Sequence, residues 1–444
     1  MSTLPISLAF ARNILAFSRR QLPEAAFARA RSAIIDTLGV TLAGSRHEGS
    51  AILRSVIEPT AALGKSRVLG TDLKLNSLDA ALLNGQAAHM LDYDDSNSYL
   101  HGHPSVAILP AALAVADERG IEGPALLQAY ITGFETVARL GSAVGRRQYT
   151  HGWHPTTTIG IFGAVAAAGV LLELDEAQLA TALGIAASFA AGIKSNFGSM
   201  TKPLIVGHAN RNALLAALLA KNGHTAGAQA FEHPQGYFAV FNGGPETVAP
   251  QFLTEDWTAE PRILDREKGV KQKRYPCCFA LAPLLDGVLA LRAEHGLRPD
   301  DIASVAIGVH AIRFPHINVP QPVDPLAGKF STSYTVARAL VEGAITMEDF
   351  EDQGRFTDAR TRALMPKVSL SIYGHHNPSG ATVVIQTLAG RVHERYVEAA
   401  VGTTHDLPLT ADALKRKFLD CAERALTPAA AQALLQRLEQ DQYA

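Results

Sequence analysis

Apolar residues recur every three or four positions through roughly the first 260 residues of the chain, the spacing that predicts helix. Ile34, Leu38 and Leu42 step by four towards Gly44, behind Pro23, a residue suited to a first helical turn. Ser77 is placed to cap a helix that runs through Leu82, Leu83 and Ala87 towards Asp92. Further helices are predicted over 105–118, 124–144, 156–173, 177–193 and 204–221, several of them closing on glycine. Near Lys268 the pattern changes. After a helix over about 279–295, every second residue turns apolar in 302–312 and 367–374. Residues 381–400 form two such runs meeting at Ala389-Gly390, which predicts strands and a hairpin. Helical spacing occupies 331–343 and returns over 410–441. The expected fold is mainly α: a large all-α helical domain holding both chain ends (1–265 plus 403–444), with a smaller α+β domain inserted over 266–402.

Composition narrows the function. Of 444 residues, 47% are hydrophobic and 18% charged, against about 25% charged in an average domain, so a large core is expected. A net charge of −2 gives no electrostatic case for nucleic acid, and no basic cluster reads as a patch for anionic lipid. The apolar run Ile159–Leu172 is too short to span a bilayer. The first twenty residues lack the basic start of a signal peptide. Cys277, Cys278 and Cys421 do not build a disulfide framework, and a reducing cytoplasm is the expected location. The expected partner is a small molecule, with no nucleic acid and no membrane.

The densest chemistry lies in LDYDDSNSYLHGHPSVAIL, residues 91–109, where Asp92, Asp94 and Asp95 precede His101 and His103 at the mouth of an apolar helix. Three helices share one kind of start: GHPSV (102–106), WHPTT (153–157) and TKPLI (201–205). Proline is tolerated in a first turn and pushes the residue before it out of helical geometry. His103, His154 and Lys202 are therefore expected at cap or pre-cap positions, where free amides and the helix dipole favour anions. If the three mouths converge, with Asp92 opposite and the hydroxyls of Ser96 and Thr157 at the rim, the pocket suits a substrate bearing two or three carboxylates. Proton removal beside a carboxylate builds enolate-like charge that such a pocket stabilises. Lys273 and Tyr275, at the expected domain junction, are further candidates for substrate contact. No glycine-rich dinucleotide fingerprint follows a strand.

The stretches LDYDD…HGHPSVAILPAALAVAD, GWHPTTTIGIFGAVAAAG, NFGSMTKPLIVGHANRNALLAALLAKNG and KRYPCC together resemble the MmgE/PrpD family over most of the chain. That resemblance implies a homodimer of subunits with a helical domain and a smaller lid domain, an active site between them, and chemistry needing neither cofactor nor metal. It implies that Asp92 is the catalytic aspartate, followed by the hydroxyl of Ser96, with His103, His154 and Lys202 completing the catalytic set. The histidine usual after the YPCC motif is replaced by Ala282, and His316 falls near a tyrosine of some relatives. The expected activity is that of a lyase working beside a carboxylate of a small di- or tricarboxylic acid. Dehydration of a 2-methylcitrate- or citrate-like hydroxyacid leads. Epimerisation by proton exchange at Cα and cis-aconitate-type decarboxylation are the alternatives. In this reading Lys202 binds a substrate carboxylate, Asp92 orients His103, His103 exchanges the proton, and His154 serves the departing group.

Two other readings are weaker. His101, His103, His154, His208 and the pair His375-His376 invite a metal hydrolase, but no regular ligand spacing of the HExxH kind occurs. The loss of a histidine at Ala282 invites a carboxylate-binding relative without turnover, against which the retained Asp92, His103, His154 and Lys202 argue. His208 reads as a core or interface residue, Arg211 as an ion-pair or rim group, Asp94 and Asp95 as the end of a helix and the start of a turn, and Cys277-Cys278 as small buried hydrophobes.

Overall fold

The computed structural model describes residues 4–374, 376–403 and 406–443, so His375 of the expected histidine pair lies outside the described residues. The chain divides into two compact units, Met1–Gln272 with Thr410–Ala444, and Lys273–Leu409.

The first unit is built from helices α1 (Ile6–Ser18), α2 (Glu24–Gly44), α3 (Glu48–Ile57), α4 (Ser77–His89), α5 (Pro104–Arg119), α6 (Pro124–Val144), α7 (Gly160–Leu171), α8 (Glu176–Phe189) and α9 (Thr201–Lys221). A small antiparallel ribbon, β1 (Leu63–Arg67) with β2 (Lys74–Leu75), sits between α3 and α4 in the chain. Sequence signals set the ends. The Asn76 side chain accepts from the amides of Leu78 and Asp79 and caps α4. Asp175 and Gln178 form a capping box on α8. Gly120, at φ 67°, closes α5 in the left-handed region that glycine enters without strain.

One expected helix is broken. The segment predicted over 156–173 is a single turn, Pro155–Thr158, followed at Gly160 by α7. Thr157 and Thr158 turn their hydroxyls back onto the His154 carbonyl, and Thr158 also donates to Gln148. Such local bonds compete with a regular helix start.

Helix α5 carries a proline in its interior, Pro110, which cannot donate to the Val106 carbonyl. The side chain of Asn210 on α9 repairs the gap. It donates to Val106 O (2.9 Å) and accepts from the Ala111 amide (3.0 Å) while itself fully buried. Close approach does the same work between α4 and α9: a Cβ on Gly207 would lie 2.3 Å from the Leu82 carbonyl oxygen. These contacts fix the register of the helices that lead into His89, His103 and Lys202.

The second unit holds a four-stranded sheet of β3 (Ile302–Val309), β4 (Val368–Ile372), β5 (Ala381–Thr387) and β6 (Val392–Val397), in the order β4-β3-β5-β6. β3 runs parallel to β4 and antiparallel to β5, and β5 and β6 form a hairpin turning through Gly390 at φ 78°. Val305, Ile307 and Val309 on β3 and Ala381, Val383 and Ile385 on β5 are buried in one core with Leu284, Leu285 and Val288 of α10 (Ala282–His295) and Val336 and Leu340 of α11 (Thr332–Glu342). This is the alternation expected of strands with one covered face. Helices α12 (Ala411–Ala422) and α13 (Pro428–Glu439) return the chain to the first unit.

Asn210→Leu should leave a buried carbonyl and a buried amide without partners, at roughly 1–3 kcal/mol each. The expected result is a loss of about 2–5 kcal/mol in chemical denaturation; a loss below about 1 kcal/mol would show that α5 tolerates Pro110 unaided.

Candidate active site

The site is a cluster of histidines and aspartates in the first unit, and its centre is Asp94. His89, the last residue of α4, has its side chain fully buried and its Nδ1 2.9 Å from Asp94 Oδ2. His103 Nδ1 lies 2.9 Å from the same oxygen and 2.8 Å from the Asp95 carbonyl. Burial opposes ionisation of Asp94, but the two imidazoles outweigh it and hold the carboxyl well below its usual range. An ionised carboxylate only accepts, so both rings carry a proton on Nδ1. In the neutral ring that leaves Nε2 as a lone pair. On His89 it is buried and unpartnered. On His103, whose side chain is 15% exposed, it lies 3.9 Å from Asp92 Oδ1.

Asp92 follows α4 with φ 52°, in the left-handed region, which Asp tolerates better than most side chains. It receives the Lys202 ammonium at 2.8 Å. The Phe197 ring lies 5.1 Å from Lys202 Nζ and 4.9 Å, centroid to centroid, from His154. His89 joins the remaining rings, with centroids 4.6 Å from His103 and 5.9 Å from His154. Asp92, His103, His154 and Lys202 are thus brought together. Asp94 lies closer to His103 (2.9 Å) than Asp92 does (3.9 Å), and Asp92 also pairs with Lys202.

The remaining imidazoles are kept neutral. Burial, then the neighbouring His89, Lys202 and His103, hold His154 well below its ordinary range, and its Nδ1 has no hydrogen-bond partner. Burial likewise pushes His89 down to about 4, against the pull of Asp94. Asp95 behaves oppositely: burial, with Asp36 and Asp94 nearby, raises its carboxyl well above the usual range despite bonds from Ser105. The Ser105 amide donates to Asp95 (3.2 Å), so Asp95 occupies the amino end of α5. The expected anion socket at that mouth is therefore filled from within.

The other candidates separate. His103 and His154 are the N-cap residues of their helical turns, as the proline rule requires. Lys202 is instead the second residue of α9, because proline is tolerated throughout a first turn and Pro203 takes a later place in it. Thr157 is buried, and its hydroxyl donates to the carbonyls of His154 (3.0 Å) and Ala191 (2.5 Å), which fastens the His154 turn rather than lining a rim. Ser96 is half-buried and its backbone pairs with Lys271 in both directions at 2.8 Å. Lys273, Tyr275 and His316 belong to the second unit; Lys273 is buried and the Tyr275 hydroxyl donates to Asp286 at 2.6 Å. Ala282 is the buried first residue of α10.

His208 is exposed on α9 beside Asn212, which corrects its expected core placement, and Arg211 approaches Asp79 at 3.5 Å. His101, its neutral form favoured by burial and by Arg146, Lys268 and Lys271, has its pKa lowered to about 4. Sequence reasoning passed over His89 and treated Asp94 as a turn residue; the available signal was a histidine on the final turn of a helix that runs straight into the acidic loop.

Ligand atoms of His89, Asp92, Asp94 and His103 lie within 4.8 Å of one another, a spacing that could hold a cation. Here the imidazole protons already serve Asp94 and the Lys202 ammonium serves Asp92.

An imidazole of fixed tautomer with a free ring nitrogen, beside an ammonium–carboxylate pair, is the equipment of an acid–base enzyme. The chain belongs to the MmgE/PrpD family: the family's N-terminal domain matches residues 9–249 and its C-terminal domain residues 275–441. Human cis-aconitate decarboxylase is 29% identical to it over 84% of this chain and 78% of its own length. The cis-aconitate decarboxylase-like protein oryM of Aspergillus oryzae is 26% identical over 91% and 88%, and the cis-aconitate decarboxylase of Aspergillus terreus 27% over 74% and 71%. No helix among the described residues is long and apolar enough to cross a membrane.

A histidine whose pKa falls on folding binds fewer protons folded than unfolded, so acid favours unfolding between the two values. For His89 that window runs from 6.5 down to about 4. The melting temperature should therefore drop as pH falls from about 6.5 to about 4, with a shallower slope in His89→Gln. An equal slope in the variant would remove His89 from the acid response.

Proposed function

We propose that the protein is a lyase that needs no cofactor and acts beside a carboxylate of a small tricarboxylic acid, removing one carboxyl group as CO2. The observation that carries this reading is the Asp94-held His103, whose Nε2 is the one free nitrogen of the fixed pair that is not wholly buried. Lys202 is the group for a substrate carboxylate, which takes the place of Asp92 at the ammonium. Breaking the bond to the departing carboxylate leaves its electron pair on the substrate, delocalised next to a remaining carboxylate. Protonated His103 quenches that carbanion from Nε2, so one proton enters and one CO2 leaves.

The burial of His154 favours this order over dehydration. Loss of a hydroxyl needs an acid as well as a base, and a His154 held neutral chiefly by burial is poorly placed to be that acid. Proton exchange without carbon loss uses the same His103 nitrogen and ranks next. The names of the relatives support decarboxylation as well. A cytoplasmic homodimer is the proposed working form.

NMR of the protein with cis-aconitate, citrate-like hydroxyacids and amino-dicarboxylates in deuterated buffer should show carbon loss from an unsaturated tricarboxylate, with one deuteron in the product. His103→Ala should lower kcat by about 10²–10⁴-fold with the fold intact. A new alkene from a hydroxyacid without CO2 would transfer the assignment to dehydration. An undiminished His103→Ala variant would end the role given to that residue.

A further inference from the structure

We infer that the buried ion pair between Lys417 and Asp36 is a positioning device that holds the 92–95 loop in the conformation presenting Asp92 and Asp94 to the histidines. The loop needs such a device. Asp92 is held at φ 52°, a conformation that persists in a non-glycine residue only when its surroundings over-determine it. Asp92 must reach Lys202, and Asp94 must lie between His89 and His103, so the peptide between them turns its carbonyl the other way. That carbonyl belongs to buried Tyr93, and a buried carbonyl requires a donor.

Lys417 of α12 fills the need. Its Nζ donates to Tyr93 O at 2.8 Å and lies 3.9 Å from the Tyr93 ring centroid, gripping the residue through both its backbone and its side chain. An ammonium in so dry a place requires a counter-charge, and Asp36 of α2 supplies it at 2.7 Å; the two side chains are 4% and 0% exposed. Gly39, less than one turn beyond Asp36, lets α12 come this near: a Cβ there would lie 3.0 Å from a ring carbon of Phe418. Stability alone does not account for the arrangement, because a buried ion pair is often no better than well-packed apolar side chains of the same volume. What apolar side chains could not supply is the donor to Tyr93 O.

The kinetic arm of the test rests on the activity proposed above; the spectroscopic arm does not. The double variant Asp36→Asn/Lys417→Met removes both charges together and so avoids leaving one buried alone. It should keep the wild-type circular dichroism. It should lose about 10- to 100-fold in kcat, the scale expected of a displacement near 1 Å, with KM changed by less than roughly threefold. Its downfield imidazole N–H proton resonances, those of His89 and His103 on Asp94, should shift or broaden. A folded double variant with wild-type kcat overturns the inference. If the wild type turns over none of the acids, the proposed function falls, and unchanged imidazole resonances in the variant still overturn the positioning role. Should the double variant not fold, Lys417→Arg, which keeps the charge and a donor, is expected to retain the resonances; their loss in a folded Lys417→Arg protein would equally count against the inference, whose donor would then be present without effect.

Discussion

The active centre depends on one buried carboxylate being shared by two imidazoles. Asp94 is fully enclosed, and without its donors burial would leave it protonated. With His89 and His103 both donating from Nδ1 it stays ionised, and the exchange is mutual because the carboxylate then dictates both tautomers. Everything chemical about His103 follows: its proton is committed on one side, and Nε2 faces the more open side near Asp92. His89 gains no charge from the arrangement, since burial outweighs its carboxylate neighbour. The cluster therefore contains a single partly exposed imidazole that can change its protonation, held between groups whose states are fixed.

Much of the scaffold was legible in the sequence because its signals are local. The proline rule put His103 and His154 on N-caps, and alternation picked out β3, β4, β5 and β6 within a few residues. What was not legible depends on partners far away in the chain. Asn210 looks like an ordinary polar residue on a helix until Val106, 104 residues earlier, is seen to need a donor. Asp94 is one of three acids in a short loop, and only burial between two rings separates it from Asp95, which burial drives to the neutral state. His89 belongs to no spaced motif and is defined by where α4 ends. The threonine-led start of the segment after His154 kept helical spacing while its hydroxyls bent the backbone away from a continuous helix.

The helix mouths converge as residues but not as open anion sockets, which redistributes the work of binding. Asp95 takes the Ser105 amide at the start of α5, and the Thr157 hydroxyl ties down the His154 turn. In the proposed reaction the attraction for a substrate carboxylate falls on the Lys202 charge, which the structure pairs with Asp92. In that proposed reaction an incoming carboxylate takes the place of Asp92 at Lys202 and frees Asp92 from its lysine close to His103 Nε2.

The proposed reaction sets a histidine kept neutral beside one that delivers a proton. His154 sits in a dry environment beside the Lys202 ammonium, and both oppose its protonation. His103 instead has two carboxylates within reach, one at each ring nitrogen. In the proposed reaction, with a substrate carboxylate on Lys202, the proton for the developing carbanion comes from the His103 ring, which lies between Asp94 and Asp92. A reaction that consumes one proton suits this distribution. One that requires two imidazoles to hold opposite protonation states and exchange them would work against the burial that organises the site.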